Sequence, residues 1–241
     1  MRTAGIVLFD DVELATFTDA VALFCADGDL KGSEWRPLFR PLLIAEYRRP
    51  VTCEGGFQLQ PQATFSDHPP LDLLLIPGAH GLGWEWPTSR VVDQLDILRR
   101  PTGNGIRRER HNRRLIHWIR DQSLRLEAVV GICSGAVLLA ECGLLKGHPA
   151  TIHPRLCSWM QNFYPDVVLE PKRTLVDAGH VITARGCKGA FQAALRVISR
   201  THGVSAAIRA ASSVDPGNTW MLPNSIEPFL ESAGIDRPTR E

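Results

Sequence analysis

A thiol sits between a β-branched apolar run and a helical one, in Gly131-Ile132-Cys133-Ser134-Gly135. A cysteine with glycine two residues away on each side fits a nucleophile held at a sharp strand-to-helix turn. Bulky neighbours there would clash with the adjoining strand and helix. The free N–H groups and positive end of the following helix would face the sulfur. That setting lowers a thiol pKa and favours the thiolate, the attacking form. The Ser134 N–H is placed to stabilise an oxyanion on a tetrahedral intermediate. A second donor is expected from the turn Pro77-Gly78-Ala79-His80-Gly81, at Ala79 or His80. The alternative for Cys133 is a small buried residue packed under a helix.

Five further cysteines are present, Cys25, Cys53, Cys142, Cys157 and Cys187. None forms a CxxC pair, and the spacing matches no zinc pattern. No metal and no cofactor are expected. Cys142 falls on the helix after the elbow and reads as core. Cys187 lies in a glycine turn, Ala184-Arg185-Gly186-Cys187-Lys188-Gly189, near the same edge, where a redox or site role is the alternative to a structural one. No signal peptide precedes the first strand-like run, so reduced thiols in the cytoplasm are expected.

These residues need elements to hold them. Buried apolar runs at 3–9, 40–47, 71–78 and 126–132 read as strands, as do 166–171 and 180–186. Helical spacing marks 13–28, 134–145, 158–164, 188–203 and 205–214. Residues 51–65 read as a hairpin with Gly55-Gly56 at its turn. Strands alternating with helices predict a mostly parallel sheet covered on both faces. Sites in such sheets lie beyond the carboxyl ends of the strands. The turns after 76, around 133 and after 183 all fall there.

Apolar residues make up 44% and charged residues 22% of 241, the balance of a globular chain with room for one α/β domain. The net charge of +1 gives no global field toward nucleic acid. No apolar run approaches the roughly 18 residues of a membrane span. Residues 1–215 are expected to form the α/β domain, with an insertion at about 82–104, and 216–241 a tail. Trp84 and Trp86 in the insertion are candidates for covering the pocket or making a dimer contact. Between residues 99 and 125 nine arginines stand against Glu109 and Asp121, a local charge of +7. That stretch is either an anion patch or the solvated face of an amphipathic helix carrying Leu115, Ile116, Trp118 and Ile119.

The chain resembles the ThiJ/PfpI superfamily, in the branch of isonitrile hydratases and the ligand domains of AraC-type regulators. The resemblance rests on GIVLFDDVELATF, FQLQPQATFSDHPPLDLLLIPGAHG, GIRRERHNRRLIHWIR, VVGICSGAVLLAECGLLKGHPATIHP and DAGHVITARG, in the family's order over most of residues 4–203. It implies a flavodoxin-like three-layer sandwich and a homodimer. It also implies that Cys133 is the elbow cysteine and His153 a histidine common after that helix. The family places an acid in the first βα segment. Alignment of VELATF puts Thr16 at that position, leaving Asp19, one helical turn on, as a substitute. Asp19-Ala20 stands for the usual Gly-Pro, Ser134 for Thr, and Gly78-Ala79 for Gly-Gly. Regulators of this group carry a helix-turn-helix module after the sandwich; the chain is expected not to be a complete regulator of that kind.

Two function classes follow. The first is a cysteine-dependent hydratase or hydrolase acting on a small C–N or carbonyl compound. Cys133 would attack, Gly78, Ala79, His80 and Ser134 would form the oxyanion and substrate site, and Thr16, Asp19 or His153 would manage protons. The second is a non-catalytic ligand-sensing protein using the same pocket, favoured by Thr16 in the acid position. A redox-responsive thiol protein is a third. The expected partner is a small molecule, with neither membrane nor nucleic acid.

Overall fold

The computed structural model describes residues 1–26, 36–79 and 104–214. The insertion at 82–104, apart from Asn104, and the tail at 216–241 lie outside them, as does His80. Five strands of the main sheet are parallel and follow the apolar runs: β1 (Arg2–Leu8), β2 (Phe39–Ala45), β6 (Leu73–Ile76), β7 (Ala128–Ile132) and β11 (Val181–Ala184). Every residue of β6, β7 and β11 is buried, as a strand covered on both faces requires. Short β5 (Ala63–Thr64) and β10 (Leu175–Asp177) close the edges. The sheet order is β10-β11-β7-β6-β1-β2-β5, with only β10 antiparallel.

Helix α1 (Thr18–Phe24), α6 (Gly189–His202) and α7 (Val204–Val214) pack together on one face. Helices α2 (Gly105–Glu109), α3 (Arg113–Ser123) and α4 (Ala136–Glu141) pack on the other, where the Cys142 thiol at the end of α4 donates to the Ile116 carbonyl of α3 at 3.4 Å. This is the flavodoxin-like α/β sandwich. A short α5 (Cys157–Phe163) and the paired strands β8 (Pro149–Ala150) and β9 (Val168–Leu169) lie between β7 and β10 in the chain.

Three details differ from the expected pattern. Helix 13–28 begins only at Thr18, after a single 3₁₀ turn at Leu14–Thr16. Glu13 N–H donates to Gly78 O at 3.0 Å, so the chain leaving β1 is tied to the next strand's turn before any helix starts. The hairpin is shorter than 51–65. It pairs β3 (Val51–Thr52) with β4 (Gln58–Leu59) across Gly55 and Gly56, both at positive φ, and β5 continues into the main sheet parallel to β2. Finally, β10 is an edge strand without the long apolar run that marks the central ones.

Among the described residues the basic stretch divides: Arg107 and Arg110 are buried and Arg108 half-buried, whereas Arg113, Arg114, Arg120 and Arg125 are exposed. Arg108 bonds Asp11, Glu109 and the Asp10 carbonyl, and Arg110 is buried against Glu141. Helix α3 buries Leu115, Ile116, Trp118 and Ile119 and is capped by the Asn112 side chain, which accepts from Leu115 N–H at 3.1 Å. The amphipathic-helix alternative accounts for α3.

Candidate active site

The sheet reverses its winding between β1 and β6, and the carboxyl ends of β1, β6, β7 and β11 lie side by side there. Each contributes one turn: Glu13 and Thr16 after β1, Gly78 and Ala79 after β6, Cys133 and Ser134 after β7, and Cys187 after β11.

The elbow is built as its glycines require. Cys133 has φ of 57°, a left-handed conformation that costs a non-glycine residue roughly 1–2 kcal/mol. A Cβ on Gly135 would lie 2.3 Å from Ile76 O and 2.7 Å from Pro77 O. A Cβ on Gly131 would meet Leu139 Cδ1 at 2.6 Å. Gly135 admits no side chain because backbone stands in the way, and one at Gly131 would have to displace Leu139. The sharp turn therefore holds Cys133 at the strand end, where it is only 1% exposed.

The sulfur's surroundings differ from those expected of a poised thiolate. The Cys187 thiol donates to Glu13 Oε1 at 3.0 Å. The neighbouring Cys187 thiol, burial and the Glu13 charge together push the Cys133 pKa well above that of a free thiol. The Ser134 N–H opposes them but does not win. Cys133 therefore holds its proton at neutral pH. The expectation of a lowered pKa fails because a second thiol and a carboxylate outweigh the N–H groups at the start of α4.

Thr16 ties the turn after β1 to the turn after β6. It is fully buried; its Oγ1 donates to Glu13 O at 2.5 Å and accepts from Gly78 N–H at 3.0 Å. Its methyl packs against Gly78, where a Cβ would find Thr16 Cγ2, Cys133 Cβ and Ser134 Oγ each at 3.1 Å. Asp19 is exposed in the first turn of α1, away from this cluster. The carboxylate that reaches this cluster is Glu13, three residues before Thr16. Its place in the turn after β1 was the available signal, hidden by starting the helix at residue 13.

The oxyanion turn also differs. Ala79 N–H donates to Ser134 Oγ at 3.0 Å and Gly78 N–H to Thr16 Oγ1, so both donors are already engaged. Ser134 N–H, facing the sulfur, is the donor that remains. His153 is half-buried. The segment before it is pinned to β11 by Thr151 N–H donating to Thr183 Oγ1 at 2.9 Å. Burial and the Arg155 charge, partly offset by Glu13, lower the His153 pKa and keep the ring neutral. Its Nδ1 accepts from Arg155 N–H at 3.3 Å, which puts the ring proton on Nε2 as a donor rather than a base. Cys187, set aside in the sequence as a neighbouring turn, belongs to the cluster. Register explains why: Ile132 pairs with Ala184, which brings the two turns to one level. Among the described residues no group of three or more His, Cys, Asp or Glu is arranged to hold a metal ion.

Comparison with known proteins fits this geometry. The sequence pattern of the DJ-1/PfpI family matches residues 6–200. An isonitrile hydratase of Pseudomonas putida is 29% identical over 160 residues, covering 66% of this chain and 58% of that protein. The HTH-type transcriptional regulator GbdR of Pseudomonas aeruginosa is 24% identical over 209 residues, covering 86% of this chain and 49% of the regulator. The chain thus spans about half the length of these relatives. The solved structure of an AraC family transcriptional regulator from Pseudomonas putida superposes with a TM-score of 0.62 at 17% identity, over 89% of this chain and all of that one, a likeness of fold.

Proposed function

The chain belongs to the DJ-1/PfpI family, and from that premise we propose that it is a cysteine-dependent hydratase acting on a small compound with a C–N multiple bond, of the isonitrile class. The observation that carries this is an elbow cysteine beside a carboxylate: the Glu13 charge bears on the Cys133 thiol, and Glu13 Oε1 accepts from the neighbouring Cys187 thiol at 3.0 Å. The 29% identity to an isonitrile hydratase supports the substrate class. Cys133 Sγ bonds the terminal carbon of R–N≡C. The thiol proton passes by way of Cys187 and Glu13 to the same carbon, giving a thioimidate. Water adds across its C=N bond, assisted by Glu13 as general base. Collapse expels the Cys133 thiol and releases the N-substituted formamide. Ser134 N–H stabilises charge near the sulfur, and His153 Nε2–H is a further donor. The protonated thiol suits this addition, because the proton is delivered with the nucleophile. A hydrolase on a related carbonyl compound would use the same groups.

The test is turnover of a panel of small alkyl isonitriles, followed by loss of the C≡N infrared band and formamide mass. Turnover is expected in the wild type and absent in Cys133→Ser; in Glu13→Gln it falls about 10²–10⁴-fold. A wild type that leaves the panel unchanged while its melting temperature rises with the same compounds would sink the enzyme and favour a ligand-sensing protein. Two observations support that second reading: Gly78 and Ala79 N–H groups are already engaged, and the regulator matches a larger share of the chain. On either reading the chain works as a homodimer in the cytoplasm, consistent with six free cysteines and with the absence, among the described residues, of a helix long and apolar enough to cross a membrane.

A further inference from the structure

We propose that a cleft beyond the carboxyl ends of β1 and β2 binds a small organic cation bearing an apolar group, of the alkylguanidinium or alkylammonium class. The cleft has a volume of about 90 Å³, and none of its lining residues belongs to the Cys133 cluster. Its inner wall is apolar: Leu8, Ala45, Val51 and Leu115 are each at most 3% exposed. A concave apolar wall with a few placed polar groups is the usual form of a small-molecule site.

The polar groups here are mostly acids. Asp10, Glu46 and Glu109 line the cleft against Arg49 and Arg108. The Asn112 side chain gathers two of the acids: its Nδ2 donates to Glu46 Oε2 and to Glu109 Oε2, each at 2.9 Å. Carboxylates held that close favour a cation beside them. Arg108 is spread over three acceptors, Glu109, Asp11 and the Asp10 carbonyl. The Asp10 carboxylate falls to Arg49, which grips it from Nη2 to Oδ2 at 2.6 Å and from Nη1 to Oδ1 at 3.3 Å.

Arg49 shows what kind of group the cleft accepts. The Asp10 hydrogen bond and charge raise its pKa, and the Glu109 and Glu46 charges add to them. A second guanidinium, that of Arg114, lies 5.5 Å from the ring centroid of Tyr47, an exposed residue of the same cleft, and 3.5 Å from Glu46 Oε1. The chain's own cations thus sit on both the carboxylates and the aromatic face. Arg49 is held weakly, because its side chain is 60% exposed and an exposed ion pair contributes little. A free cation whose apolar group covers the Leu8 and Leu115 wall gains burial that Arg49 does not, and it displaces Arg49 from Asp10.

The full chain, isotope-labelled for amide NMR, is titrated with n-butylguanidinium chloride. Sodium butyrate and sodium chloride at matched ionic strength are the controls. Saturable shifts are expected at the amides of Tyr47 and Asn112 and their neighbours, with neither control producing them. Arg49→Ala removes the internal competitor and should bind the probe severalfold more tightly. Asp10→Asn and Glu46→Gln should each bind it about tenfold more weakly, and Glu46→Gln retains the test if Asp10→Asn fails to fold. A wild type that does not saturate, an equal response to butyrate, shifts centred on Cys133 and Ser134, or unchanged affinity in Arg49→Ala or in Glu46→Gln would each overturn the proposal. The readout does not involve the Cys133 thiol, so this outcome is separate from isonitrile turnover.

Discussion

Two buried polar clusters flank α4, and they are wired in opposite ways. At its end, Arg110 is fully buried and donates from Nε to Glu141 Oε1 at 2.9 Å. The Tyr164 hydroxyl donates to the same carboxylate oxygen, and the guanidinium lies 4.6 Å from the Trp159 ring centroid and 5.1 Å from that of Phe163. Opposite charges, hydrogen bonds and aromatic faces together offset the burial of the guanidinium. At its start, Cys133, Cys187 and Glu13 set a carboxylate beside a thiol that would become an anion. There every neighbour but the Ser134 N–H disfavours the ionised Cys133. The first cluster holds the fold together. The second keeps the Cys133 thiol protonated, the form from which the proposed addition starts.

The contrast can be broken from either side. The largest effect is expected at the structural cluster. Glu141→Ala removes the carboxylate that the buried Arg110 and Tyr164 share and should lower stability by about 3–5 kcal/mol in urea unfolding. A loss below about 1 kcal/mol would mean that water or another acid reaches Arg110. At the reactive cluster the same kind of change should be mild for the fold and should raise reactivity. Removing the thiol in Cys187→Ala, or the charge in Glu13→Gln, takes away a cause of the high Cys133 pKa, so Cys133 should be alkylated severalfold faster at pH 8. Unchanged or slower labelling would show that burial alone holds the thiol. The smallest effect concerns His153. Its pKa is lowered from 6.5 in the folded chain, so the unfolded chain binds the extra proton first on acidification. The His153 contribution to stability is present above pH 6.5 and is lost as the pH falls toward its folded value. His153→Gln should flatten that part of the stability profile, and a steeper slope would reverse the sign.

Legibility in the sequence followed the range of the interactions. The central strands are buried on both faces and announce themselves as apolar runs. The elbow is equally local, because Gly131 and Gly135 exclude a Cβ for reasons within one strand-turn-helix unit and the strand beside it. Glu13 was harder. Leu14 and Phe17 mimic helical spacing, and the hydrogen bond from Glu13 N–H to Gly78 O, which ends the chain's freedom there, joins residues far apart in sequence. The same holds for Thr16, whose bond to Gly78 N–H likewise joins residues far apart in sequence. The contact between Cys133 and Cys187 depends on the register of β7 against β11, which no local pattern encodes.

The lacing of Glu13 to the β6 turn has one more effect. Glu13 N–H holds Gly78 O, Thr16 Oγ1 takes Gly78 N–H, and Val12 bridges Ala79. The segment carrying the acid and the segment flanking the nucleophile are stitched together three times within a few residues. The two segments are thereby tied into one unit, so a displacement at Ala79 would carry Glu13 with it and change the charge that bears on the Cys133 thiol.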